Sequence, residues 1–275
     1  MRRNNEDRTK SRRAQANAVD PSSVLDFVTP TEFVELPSKG IGYPEHHPLR
    51  NKETIEIRFM TAKDEDILTS RSLLKKGIAL ERLIDNLLVD KSIISKEILV
   101  GDRNAIIIAA RSSAYGHIYK TKVQCPNCGT SQKFSFDLSQ PTIIDGDLEE
   151  FDVTETESGT YIVETPKSGI KVEMKLMNGQ DEIKIIKLMN KNANDEDIVS
   201  SQMKMYINSV NGHSGKDFVE YFVENVPAFE ARWLRKCYEA LAPNIKVIED
   251  FECNSCGYEQ EMEVPFNADF FWPDQ

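Results

Sequence analysis

No stretch of about 18 apolar residues occurs anywhere in the sequence, so a membrane-crossing helix is not expected. The opening MRRNNEDRTKSRRAQANA carries bases but no apolar run behind them, so a secretory signal is not expected either. Histidine is scarce. His46 and His47 stand side by side in a proline-bounded loop, where neighbours in extended chain point to opposite sides and chelate poorly. His117 and His213 are isolated and read as surface or loop residues. G-x-S-x-G, H-E-x-x-H and the dinucleotide fingerprint are all missing. GHSGKD, from Gly212 to Asp217, lacks both the four-residue spacer of a phosphate loop and the Ser or Thr after its lysine. The acidic run from Asp145 fails as a calcium loop, with Glu150 where glycine is needed and Thr156 where the twelfth-position glutamate belongs. No reaction class finds its residues in place, and an enzyme is not expected.

What is present describes a folded, acidic chain. A length of 275 residues suffices for one large domain or two modest ones, and 40% hydrophobic with 29% charged residues is the balance of a soluble globular protein. The net charge of -11 disfavours bulk contact with phosphate backbones. The charge is uneven: residues 1–20 hold six bases against Glu6, Asp7 and Asp20, and the remainder is correspondingly more acidic. Residues 1–22 read as a disordered basic arm, suited to an acidic partner.

Prolines and glycines between Phe33 and Arg50 argue for turns and extended chain, and Thr54 to Phe59 alternates as a short strand. A helical block follows, with a capping-box start at Thr61 and Asp64 and a stop at Gly77. Leu80, Leu83, Ile84, Leu87 and Leu88 fall on one face of the next helix. GDRNAIIIAARSSAYG predicts a buried helix, capped by Asp102 and ended by Gly116, with a buried strand as the lesser reading of its three isoleucines. Residues 141–158 read as a solvated acidic linker, and TYIVE with IKVEMKL as a hairpin around Pro166 and Gly169. Helices are expected over 180–190, 196–209 and 216–224. A last one opens at Pro227 with Phe229, Trp233, Cys237 and Leu241 at spacing four.

Four of the five cysteines form two C-x-x-C pairs, each between strand-like segments and each followed by glycine: VQCPNCGTSQKFSF and FECNSCGYEQEMEV. Such a knuckle aims two thiolates at one point, and the glycine supplies the positive φ of the turn. Cys125, Cys128, Cys253 and Cys256 are the predicted ligands of one structural zinc. Four thiolates close the shell, whereas a catalytic zinc keeps an open position. A redox pair should open a helix after a strand, and neither pair does. Between Cys128 and Cys253 lie 124 residues, so the sequence predicts a split ribbon with a subdomain inserted between its hairpins. Cys237, on the apolar face of the last helix, reads as a core residue.

The ordered phrases FVELPSKGIGYP, IRFMTAKDEDILTSRSLLKKGIALERLIDNLL, LVGDRNAIIIAARSSAYG and CPNCG resemble the baseplate proteins of T-even-type contractile-tailed bacteriophages, the small hub subunit family. The resemblance is close over residues 27–138, and the second knuckle carries it on to the C-terminus. It implies a baseplate hub or hub-assembly role without enzymatic activity, other tail proteins as partners, and a place in the host cytoplasm during assembly and in the virion tail if the chain is retained. Zinc rests on the cysteine spacing alone. The expected class is α+β: a basic arm (1–22), a helical N-terminal half (23–118), a discontinuous zinc ribbon (119–140 with 244–266), an inserted hairpin-plus-helices subdomain (141–243) and a tail (267–275). The alternative is a nucleic-acid-binding zinc-ribbon accessory protein. Against it, Glu249, Asp250, Glu252, Glu259, Glu261 and Glu263 surround the second knuckle with charge that repels phosphate.

Overall fold

Alternating apolar residues build the first sheet. Thr31–Glu35 (β1) and Thr54–Arg58 (β2) pair antiparallel with Phe33 opposite Glu56. Val34, Ile55 and Ile57 go into the core, while Phe33 stays 71% exposed. The computed structural model describes residues 29–144, 148, 150–191, 198–264 and 268–271. The chain divides into two units, Met1–Pro30 and Thr31–Gln275. The first, with the expected basic arm, lies almost wholly outside the described residues, and the elements that follow all belong to the second.

The helical block is two helices, Ala62–Thr69 (α1) and Arg71–Lys76 (α2), parted at Ser70, whose backbone is extended. The expected cap at Thr61 is present. The Asp64 carboxylate accepts from the Thr61 N–H at 2.9 Å and its hydroxyl at 2.8 Å, and takes a two-pronged bond from Arg58 at 2.7 and 2.8 Å. Hydrogen bonds from Arg58 and Thr61 outweigh desolvation and hold this carboxyl down at about 2. Gly77 ends α2 with φ 65°. Ala79–Leu87 (α3) buries Leu83, Ile84 and Leu87, as its periodicity requires.

Val100–Tyr115 (α4) is the buried helix, with Ile106, Ile108 and Ala110 in the core. Asp102 does not cap it. The helix starts two residues earlier, and Asp102 sits fully buried in the first turn. Its carboxylate accepts from the Ser38 N–H (2.9 Å), the Ser38 hydroxyl (2.6 Å) and the Tyr43 hydroxyl (2.7 Å). A side chain committed to the 36–43 loop cannot also turn back to its own helix end. Tyr43 in turn accepts from the Leu99 N–H at 3.0 Å, which ties that loop to the start of α4. His47, placed by the sequence in a proline-bounded loop, is buried and stacked on Tyr43 at 4.4 Å between ring centroids. Burial pushes its pKa down, so it packs as a neutral ring.

Helix α4 crosses Asn244–Lys246 (β10) at Gly101, where a Cβ would strike the Pro243 carbonyl and approach Asn244 Cα to 3.0 Å. Both neighbours are backbone and cannot swing aside. Gly101→Ala is therefore expected to lower stability by about 1–3 kcal/mol despite alanine's better helix propensity, read as a fall in the midpoint of urea unfolding.

Ile118–Gln124 (β3) pairs with Ser131–Asp137 (β4), and Ile248–Glu252 (β11) with Glu259–Glu263 (β12), as two hairpins. Residues 141–158 are not simply a solvated linker. Thr142–Ile144 (β5) pairs with β10, a hundred residues away in sequence, and Val153–Glu155 (β6) forms the edge of a second sheet. That sheet runs β6-β7-β8-β9, with Thr160–Glu164 (β7) and Lys171–Lys175 (β8) as the expected hairpin and Ile207–Val210 (β9) at its other edge. The turn between them is held by Glu230, which accepts from the N–H groups of Lys167 (3.1 Å) and Ser168 (2.7 Å) and from the Ser168 hydroxyl (2.9 Å).

Gly179–Lys191 (α5) and Ile198–Tyr206 (α6) follow. The helix expected to reach residue 209 stops at Tyr206, because Ile207–Val210 (β9) leaves it to pair with β8. Lys216–Asn225 (α7) starts after Gly215 as predicted. Ala228–Leu241 (α8) starts just past Pro227 and buries Leu234, Cys237 and Leu241, whereas Phe229 is 54% exposed and off the buried face. Residues Ala268–Phe271 make a short 3-10 turn that puts Phe270 and Phe271 into the core, where Arg111 donates to the Phe270 carbonyl at 2.9 Å.

Candidate metal centre

Each cysteine turn is built the same way. The Cys125 N–H donates to the Thr130 carbonyl and the Gly129 N–H to the Cys125 carbonyl, both at 2.9 Å; the Cys253 N–H donates to Tyr258 and the Gly257 N–H to Cys253, also at 2.9 Å. Gly129 and Gly257 take φ 72° and 66°, the left-handed conformation the turn demands of them. The two turns thus present sulfurs at equivalent points.

The hairpins meet so that the four sulfurs converge. Cys125 Sγ lies 3.8 Å from Cys256 Sγ, and Cys128 Sγ 3.6 Å from Cys253 Sγ. All four lie within 4.8 Å of one another. An ion about 2.3 Å from each of four tetrahedral thiolates would hold them roughly 3.8 Å apart, close to the spacing found. Disulfides need far closer approach. One cysteine of each turn, Cys125 and Cys253, is buried and the other exposed, so the cluster is half sunk into the protein.

Below the sulfurs, Phe134 of β4 meets Phe251 of β11 edge to face at 5.5 Å. Gln132 bridges the backbones: its amide N–H donates to the Glu252 carbonyl at 2.8 Å, and its amide oxygen accepts from the Asn254 N–H at 2.9 Å. Asn127 donates across to Cys256 Sγ at 3.7 Å. Neither Gln132 nor Asn127 stands out in the sequence. Their role depends on a cross-hairpin contact that no local pattern encodes. Gln132→Ala should leave metal binding intact and hasten zinc loss to a chromogenic chelator severalfold, since two bonds of about 1 kcal/mol each hold the turns in register.

Cys128 and Cys256 do not titrate alike. Hydrogen bonding with the Thr130 side chain and backbone pulls Cys128 down to about 6. Cys256 goes up to about 11, because the Tyr258 N–H that lowers it is outweighed by desolvation and by the neighbouring Cys128 and Cys253 sulfurs. Four sulfurs this close cannot all ionise unaided. A divalent cation among them removes that conflict and deprotonates them together. The donor set therefore fits a soft, tetrahedral ion such as zinc. Cys237 is no part of the cluster; it is buried in α8, and desolvation pushes its thiol up to about 12. The four histidines also stay outside it among the described residues.

A family model described as T4 bacteriophage base plate protein matches residues 31–272, from β1 through the last described turn. The chain belongs to that family. No curated protein and no solved structure matches it. This baseplate protein is thus an α+β chain whose four clustered cysteines can hold a metal ion. None of its described helices is long and apolar enough to cross a membrane.

Proposed function

We infer that this baseplate protein is a non-enzymatic structural or assembly component of the hub of a contractile phage tail, stabilised by one structural zinc on Cys125, Cys128, Cys253 and Cys256. The reading is carried by the family match, which spans both cysteine hairpins. Four thiolates would fill the coordination shell of the ion and leave no position for substrate or water. The metal's part is then to clip 119–140 to 244–266 as a zinc ribbon and so close off the insertion 141–243. Its partners are other tail proteins, met in the host cytoplasm and kept in the virion where the chain is retained. The acidic second hairpin weighs against the nucleic-acid reading, since Glu252 and Glu259 face each other across its end and are exposed.

The test is quantitative mass spectrometry of purified virions and of isolated tail intermediates, with zinc content measured on the purified chain. A fixed stoichiometry in both particles makes it a subunit, and presence in intermediates alone makes it an assembly factor. Absence from both overturns the reading.

A further inference from the structure

Among the described residues the outer edge of β1 is open, with β2 its one strand neighbour. The Leu36 N–H donates to the Glu53 carbonyl at 2.8 Å, which fixes the alternation of the pair. Residues 32, 34 and 36 bond inward to β2, and residues 31, 33 and 35 turn their N–H and C=O groups away. The opposite side of β2 agrees: Glu56, across from Phe33, turns its carbonyl outward and accepts from the Val89 N–H at 3.3 Å. Among the described residues, no hydrogen bond takes up the outward groups of Phe33 and Glu35.

Beside this edge lies a groove of about 570 Å³. Ala105, Ile108 and Ala109 of α4 make its apolar floor, and Ile143 of β5 stands in its far wall. Its carboxylates are Glu32 and Glu35, and no lysine or arginine among the described residues lines it. Glu32 Oε1 is shielded from solvent there and has no hydrogen-bond partner among the described residues. A shielded acceptor without a donor is uncommon in a finished structure, and a donor brought by a partner would satisfy it.

We propose that this edge and groove take an extended segment of a neighbouring tail protein as an added strand, its backbone pairing with Phe33 and Glu35, an apolar side chain on the floor and a lysine or arginine on Glu32. The identity of the partner as a tail protein rests on the baseplate reading; the chemistry of the segment does not. Strand addition supplies affinity through backbone bonds and specificity through alternate side chains. A second copy of β1 is a poor occupant. Thr-Glu-Phe-Val-Glu holds no base, so self-pairing crowds carboxylates across the new ladder with nothing to offset them.

The experiment uses the full chain during tail assembly. Phe33→benzoylphenylalanine places a photo-crosslinker on the edge, and tail intermediates are isolated, irradiated and their cross-linked peptides sequenced. The expected result is a crosslink to a segment of a different tail protein with a base beside apolar residues. Phe33→Pro removes an outward N–H while leaving the β1–β2 bonds alone, and should cut incorporation into intermediates by about tenfold or more with circular dichroism unchanged. Glu32→Lys cancels the groove's net negative charge and sets a like charge against the incoming base, should act likewise, and decides the matter where the proline variant fails to fold. Crosslinks confined to the same chain or to a second copy, or folded variants entering intermediates at the wild-type level, overturn strand addition and leave the baseplate reading intact. A wild-type chain missing from the intermediates overturns the baseplate reading itself.

Discussion

Cys253→Ser is expected to empty the four-sulfur site. Zinc should fall from about one ion per chain to almost none, as measured by inductively coupled plasma mass spectrometry, with stability lower by several kcal/mol in urea unfolding. The size follows from the span. Cys128 and Cys253 are 125 positions apart, and a cross-link closing a loop of about 100 residues constrains the unfolded chain by roughly 4–5 kcal/mol. Serine in a buried position carries a cost of its own, so the decisive comparison uses chelator. Stripping zinc from the wild-type chain should bring its unfolding midpoint close to that of the variant, and the same treatment should leave the variant unmoved. Cys237→Ser is the control: it disturbs a buried thiol outside the cluster and should keep full zinc. A Cys253→Ser chain that retains both zinc and stability would end the metal-clip account.

The second large effect is expected at Asp102. Its carboxylate is the shared acceptor for the Ser38 N–H, the Ser38 hydroxyl and the Tyr43 hydroxyl, and all of these groups are buried. Asp102→Ala leaves three donors without a partner and should cost about 3–5 kcal/mol. Asp102→Asn keeps one acceptor oxygen and should cost less. Tyr43→Phe is expected to be destabilising too, because it removes one of the three donors to Asp102 and strands the Leu99 N–H. A double-mutant cycle between Asp102 and Tyr43 should show strong non-additivity, as members of one network do. A loss under about 1 kcal/mol for Asp102→Ala would mean that the network does not hold the 36–43 loop on α4.

Local chemistry makes much of this structure legible in the sequence. The two C-x-x-C-G phrases carry their own turn geometry, and Thr61 with Asp64 carries its own cap, so both can be read without knowing what lies around them. The isoleucines of α4 announce burial by composition. What escapes the sequence is set at long range. The strand β5 exists because β10 comes back to meet it, and three residues in an acidic run carry no signal of that. Ile207 to Val210 continue the apolar periodicity of α6, yet β8 offers an open ladder and wins them. Asp102 has the sequence position of a cap, but the loop 64 residues earlier supplies better donors. The convergence of the cysteines is legible from the chemistry of the residue set, whereas the Gln132 bridge that registers the two turns is not. Phe270 and Phe271 carry the clue in the C-terminal segment, as part of an aromatic run with Trp272, and Arg111, which donates to the Phe270 carbonyl, lies 159 positions away.

The distance between the knuckles also sets a schedule for synthesis. At about 5–20 residues per second, the 125 positions from Cys128 to Cys253 correspond to roughly 6–25 seconds of translation. During that interval the first pair of thiols is on the ribosome without the second, and the aromatic face of the first hairpin has no Phe251 to cover it. The core cannot be completed until Phe270 and Phe271 have emerged. Completion of this fold therefore waits on the second knuckle and on Phe270 and Phe271, and the supply of free zinc and of protecting chaperones matters most over that interval.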